Sequence, residues 1–307
     1  MKKKFLFGTF YVLLFFTLST FVHAQKNQNN YLDKIDYWKQ ESFNKKVKEV
    51  VTEFYEYYDD YGYGNQQKTL KKQTNTNQIF NKSGKLISQT EQAKTFIGSK
   101  IIKNYKKTFY EYDVNSHLIK ERIYSSIDTL SLEPKDTAIY YSKIYNYDSK
   151  GILKECIEYN NSKKKVKNTV IIIDTIKNIL EILQIENSSY PNNSKNKYQF
   201  DNNTLINQIH FNGSQATGKI MFTYDIKGQK IEEHYQAFNS HYESMKRIKY
   251  NKEGLIEELS RNSNIDQVNK IFYAYTFDKN KNWLTKEVKN DRGIVVENFT
   301  RKIFYFK

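Results

Sequence analysis

The sequence predicts an all-β protein of repeated antiparallel β-hairpins stacked into an elongated, twisted or coiled sheet. Three observations carry this. An apolar-x-aromatic-Asp/Asn pattern recurs around Asn81, Asp113, Asp148, Asp174, Asp201, Asp225, Asn251 and Asp278, at spacings of 32, 35, 26, 27, 24, 26 and 27 residues. The flanking segments alternate apolar and polar residues, the period of a strand with one buried face. Aromatic residues make up 16% of the chain, enough to cover a thin sheet in an otherwise polar sequence of mean hydropathy −0.78.

Composition excludes other classes. One cysteine in 307 residues cannot form an intramolecular disulfide or a cysteine-based zinc site within the chain, and two prolines exclude collagen and polyproline architectures. The apolar content, 38%, is too high for a simple disordered polymer.

The elements follow in chain order. Residues 1–24 have the layout of a secretory signal peptide: a basic start at Lys2-Lys3-Lys4, an apolar run from Phe5 to Phe21, and a cleavage-like Val22-His23-Ala24. The competing reading is an uncleaved membrane anchor, but the run is only 17 residues long. A lipid-anchored chain needs a cysteine just after it, and the one cysteine is Cys156. Removing the three lysines from 49 basic residues leaves 46 against 34 acidic ones, a formal +12 for the mature chain. Residues 25–45 are polar, a leader or a short cap. A single β-repeat domain is then predicted over 46–307, opened by the strand Lys46–Tyr58 and a turn at Asp59-Asp60-Tyr61-Gly62.

Within each unit, the residues one and three before the anchor share a strand face. The first is aromatic in seven of eight copies (Phe80, Tyr112, Tyr147, Phe200, Tyr224, Tyr250, Phe277), with Ile173 the exception. The Asp or Asn then accepts backbone N–H bonds and starts a turn. Gly84, Gly151, Gly228 and Gly254, three residues on, supply the left-handed conformation that closes a bulged hairpin. Five residues past the anchor the returning strand is expected to turn Leu86, Leu118, Leu153, Ile179, Ile206, Ile256 and Trp283 to the same face. Ser125–Ala138 and Asn187–Asn196 lack strand patterning and are expected as exposed loops. Asp291-Arg292-Gly293 is a further turn before the last strands, Val295–Phe306.

The repeated unit, clearest in Tyr145-Asn146-Tyr147-Asp148-Ser149-Lys150-Gly151-Ile152-Leu153-Lys154-Glu155, resembles the YD repeat of the RHS family of bacterial exported proteins. The stretch Tyr275-Thr276-Phe277-Asp278-Lys279-Asn280-Lys281-Asn282-Trp283 is similar to the ending of short secreted forms without a toxin domain, with Lys281 where that ending has glycine. The resemblance implies an exported β-repeat scaffold and no particular reaction.

A search for chemistry turns up structural readings instead. Gly213-Ser214-Gln215-Ala216-Thr217-Gly218-Lys219 nearly matches a phosphate-binding loop, but Ile220 stands where Ser or Thr must hold the metal, and a strand follows. Of the four histidines His117, His210, His234 and His241, the last two, near Glu232 and Glu233, invite a metal site but are expected on solvated surface. Cys156 has no nearby histidine to activate it. The anchor carboxylates occur one per unit and alternate with asparagine, as turns tolerate and calcium loops do not. No catalytic, cofactor-binding or metal-binding residue is therefore assigned, and no cofactor.

The expectation is an exported protein, periplasmic or extracellular, that is no enzyme: a scaffold or binding module contacting an envelope or extracellular polymer or a protein partner. The partner is unknown, with a polyanionic glycan or an envelope protein as candidates suggested by lysine clusters at Lys68–Lys72, Lys103–Lys107 and Lys163-Lys164-Lys165. Nucleic acid is not expected for an exported chain. The alternatives are a carbohydrate-active enzyme and an accessory or immunity protein of a secretion system. Against any specific anion site stands the use of surface lysine to keep sheets from aggregating.

Overall fold

The computed structural model describes Phe43 and residues 46–58, 69–97, 100–127, 141–174, 176–187, 193–201, 204–263 and 268–306. The expected signal peptide, most of the expected leader and the expected turn at 59–62 lie outside these residues. Among the described residues there is no helix. The strands are β1 (Val47–Tyr58), β2 (Thr69–Phe80), β3 (Leu86–Ile97), β4 (Lys100–Tyr112), β5 (Leu118–Ile127), β6 (Tyr141–Tyr147), β7 (Leu153–Asn160), β8 (Lys165–Asp174) and β9 (Ile179–Glu186). They continue with β10 (Ser194–Asp201), β11 (Thr204–Asn212), β12 (Gln215–Tyr224), β13 (Lys230–Ala237), β14 (Glu243–Tyr250), β15 (Ile256–Ser263), β16 (Asn269–Phe277), β17 (Trp283–Lys289) and β18 (Val295–Tyr305).

Every strand pairs antiparallel with the next, and β18 pairs with β1 from Val47↔Tyr305 to Glu56↔Glu297. The expected hairpins are present, but the elongated or coiled sheet is not: the structure is a closed 18-stranded barrel. Closure removes both edges, which an extended hairpin array would have left as unpaired N–H and C=O groups. Repeat spacing shows that neighbours pair, and carries no information on whether the last ribbon meets the first.

The registers sort side chains into two faces. Every buried strand residue, from Val50 and Phe54 through Tyr110, Tyr145, Ile171, Leu180, Tyr198 and Phe200 to Ile248 and Val288, falls on one of them. In a single closed layer only the inner face can be shielded, so this face lines the lumen. Eighteen strands on a circle would enclose a tube about 35 Å across. Water would reach the walls of such a tube, yet Leu86, Leu118 and Leu180 are at most 1% exposed. The end that carries the anchor turns is therefore filled by inward side chains, in a cluster that runs from β1 to β11 and takes in Phe43, Phe222, Ile303 and Tyr305 at its margin. At the opposite end inward residues such as Asn104, Asn212 and Asn269 are exposed. The barrel is a cup with an apolar floor.

The anchors act as expected, and all eight lie at the floor end. Asp148 Oδ1 accepts from the N–H groups of Lys150 and Ile152 at 2.9 Å, and Asn81, Asp225, Asn251 and Asp278 do the same two and four residues on. Ser116 (φ 80°) and Lys281 (φ 62°) take the left-handed position without being glycine, so these turns keep the common shape. Two units differ. The turn after Asp174 is longer, with Asn178 left-handed and Asp174 paired to Ile179; in the other unit Asp201 is itself paired, to Thr204. Because faces alternate residue by residue, these changes turn Leu180 and Leu205 inward in place of the expected Ile179 and Ile206. Residues 125–127 and 194–196, expected in loops, lie in strands β5 and β10. Asn160 and Asn290 build the same turn at the cup's mouth, and the first of these was not legible as an anchor.

Candidate functional site

Two places combine charge with an unusual environment. The first is inside the wall, where β5, β6 and β7 bring Glu121, Lys143, Tyr145, Cys156 and Glu158 together. Glu121 faces Lys143, which faces Glu158, across successive pairs, and the Tyr145 hydroxyl donates to Glu121 Oε1 at 2.8 Å. Glu121 is 2% exposed and Lys143 7%. Burial alone would drive Lys143 down, but the carboxylates of Glu121 and Glu158 outweigh it and hold the ammonium protonated. Burial, with those carboxylates, pushes the Cys156 thiol up to about 12 even against the pull of Lys143. A protonated lysine is no base and a protonated thiol no nucleophile. The cluster fastens three strands together and is chemically quiet.

The second place is the outer face of β3, β4 and β5. Its outward rungs carry Lys94, Lys103, Lys107, Lys120 and Arg122, with Tyr105, Phe109 and Tyr124 between them. The single acid among these described rungs, Glu111, is bound to Arg122 at 2.9 Å. Lys94 and Lys103 are direct cross-strand neighbours, a like-charge pair that opposes the pairing. The Lys107 ammonium lies 5.0 Å from the centre of the Phe109 ring, and Phe109 meets Tyr124 edge-on at 5.8 Å. Elsewhere several outward acids are matched by bases: Glu181 with Lys195, Glu232 with Arg247, Glu258 with Lys249 and Lys270, Glu287 with Lys289.

Of the lysine clusters singled out in sequence, the structure divides the members. Lys103 and Lys107 point outward while Lys106 points into the lumen. Lys71 is bound to Glu56 at 2.8 Å. Lys163 and Lys164 form a turn tip, with Lys163 at φ 58°. The near-match to a phosphate loop is the β11–β12 hairpin; a Cβ on Gly218 would lie 2.7 Å from the Tyr235 hydroxyl, so packing explains that glycine. The histidines are dispersed: His117 sits 2.9 Å from Asp113, His210 lines the lumen, His234 approaches Glu243 at 3.6 Å on the outer face, and His241 lies in the β13–β14 turn. Among the described residues no group of three potential metal ligands forms.

Much of the outer face is polar. Mid-strand rungs such as Thr90-Lys107-Tyr124 and Glu232-Arg247-Ser260 carry charge where a membrane-spanning barrel presents an apolar band about 25 Å tall.

No protein-family model matches this chain, and no curated protein matches it. Among solved structures, a porin-like protein from Bacteroides uniformis is similar over 84% of this chain and 97% of its own, at 11% identity and a TM-score of 0.43. A porin-like protein from Bacteroides vulgatus is similar over 85% and 98%, at 9% identity and a TM-score of 0.30. TcdB2-TccC3-TEV is similar over 76% of this chain but 12% of its own, at 12% identity and a TM-score of 0.28. At these scores the likeness carries no functional argument, and membership of the YD-repeat family is not established by it.

Proposed function

We propose that this chain is an exported, water-immersed β-barrel that binds an anionic polymer, such as an acidic polysaccharide of the cell envelope or its surroundings, without catalysing a reaction. The observation that carries the reading is the outer face of β3–β5, where Lys94 and Lys103 face each other with no acid between them. A natural strand pairing tolerates such repulsion at a cost of a few tenths of a kcal/mol to about 1 kcal/mol. An anion laid across the pair turns that cost into attraction. Tyr105, Phe109 and Tyr124 offer ring faces and edges to the sugar units between the charges.

The polar outer wall supports immersion in water. Each lysine or arginine forced to the bilayer midplane costs about 2–4 kcal/mol, and this wall has charges on most of its strands. The signal-peptide layout of residues 1–24 supports export. A hydrolase would need paired carboxylates across a cleft. The anchor carboxylates that invited that idea are turned into their own hairpin turns.

The test is binding of the mature chain to polygalacturonate, with neutral dextran as the control, across a salt series. The reading expects affinity for the acidic polymer that falls with salt, and a loss of about tenfold or more in Lys94→Gln/Lys103→Gln/Lys107→Gln. Equal binding to dextran, or a triple variant that binds as the parent does, overturns it.

A further inference from the structure

Strands β8 and β9 break the rule followed by the rest of the barrel. Their inward residues Ile171, Ile173, Leu180 and Ile182 join the core. Their outward residues are mostly apolar too: Val170 faces Leu183 across the pair, and Ile172, Ile179 and Ile185 surround them, interrupted by Asn168, Asp174 and Glu181. On the adjoining strands Ile144 faces Ile157. Ile172 and Ile185 are 46% and 43% exposed. Strands apolar on both faces belong to sheets covered on both sides. Here the core covers one side, and among the described residues nothing covers the other.

The charges bordering this patch identify what does. One rung runs across four strands as Glu155, Val170, Leu183 and Lys195. Consider a two-fold axis parallel to the strands and passing between Val170 and Leu183. It lays Glu155 of one copy over Lys195 of the other, and Val170 over Leu183. The rung is complementary to itself, as an isologous interface requires. We propose that the β7–β10 outer face is where two copies of this chain pair. Within its own copy Glu155 accepts from Asn146 at 3.0 Å, and Lys195 is 3.8 Å from Glu181 and 4.4 Å from the centre of the Phe211 ring. A lipid surface is the poorer occupant, because Glu155, Glu181, Lys195 and Lys197 would be carried into it.

Analytical ultracentrifugation of the mature chain over a concentration series tests this. A reversible dimer is expected. Glu155→Lys and Lys195→Glu should each weaken it by about tenfold or more, and the double variant Glu155→Lys/Lys195→Glu should restore it. Thermal melts of the four proteins separate lost pairing from lost folding. A parent chain that stays monomeric at high micromolar concentration overturns the proposal. So does a dimer indifferent to these charges, or flotation of the chain with neutral vesicles in place of self-association.

Discussion

The carboxylate of Asp148 shows what an anchor residue does. The N–H groups of Ile152 and Lys150 donate to its Oδ1, and these bonds, with Lys154 nearby, hold its pKa below the ordinary aspartate value. A carboxyl depressed in the folded state binds fewer protons than in the unfolded one. Its contribution is full above the unfolded value, near pH 4, and is lost as pH falls through the folded value. Asp148→Asn keeps the amide oxygen as acceptor, as Asn81 and Asn251 do naturally, and removes the titration. It should cost less than about 1 kcal/mol at neutral pH and lessen the loss of stability as pH falls below about 4. Denaturant melts at several pH values check it; a variant with the parent's acid sensitivity would contradict the assignment. Cys156 is the other residue whose chemistry the fold decides. With its thiol pushed up to about 12, first by burial, the native chain should resist alkylation by iodoacetamide at pH 8 and react once unfolded. Rapid native labelling would show that the wall between β6 and β8 opens.

At the scale of the hairpin, the tyrosine before three of the anchors has a role that its place in an apolar pattern does not reveal. The Tyr112 hydroxyl donates to the Leu86 carbonyl, Tyr147 to the Leu118 carbonyl and Tyr250 to the Lys230 carbonyl, each at 2.8 Å. In every case the acceptor lies five residues past the previous anchor, so the ring of one hairpin is tied to the return strand of the one before. Burial pushes the Tyr112 and Tyr147 hydroxyls up, keeping them protonated donors at any physiological pH. Tyr147→Phe should fold, since Phe80, Phe200 and Phe277 occupy the same position, but lose about 1 kcal/mol measured by urea unfolding. An unchanged midpoint would make the bond incidental. The hairpin was legible because its determinants are local: an Asx acceptor, a left-handed residue, an alternation of faces. The register of the units after Asp174 and Asp201 was not, because a turn one residue longer or shorter looks alike in sequence and changes which residue of the returning strand first turns inward. The basic face of β3–β5 was half legible. The lysine run was plain, but which lysines point outward, and that Lys94 comes from another strand to meet Lys103, depends on pairing.

At the scale of the molecule, the pairing of β1 with β18 joins residues separated by nearly the whole chain, and no local signal can announce it. The contact runs over nine residue pairs, with a bulge between Val47 and Glu49, and ends where the Phe306 N–H approaches the Lys46 carbonyl at 3.3 Å. Long-range pairing of this kind is slow to form, since the chain loses loop entropy before the contact gives anything back. It also places the two ends of the folded domain side by side. A circular permutant that joins Phe306 to Lys46 through a short glycine linker, and opens the chain between Asn239 and Ser240 in the exposed β13–β14 turn, should therefore keep the native circular dichroism spectrum and melt within a few degrees of the parent. It should refold faster, because the β1–β18 contact becomes a local hairpin in the new order. In an open or coiled sheet the same linker would have to stretch along the whole array, and the permutant would fail to fold. Retained structure with accelerated refolding thus separates the closed cup from every open arrangement of the same eighteen strands.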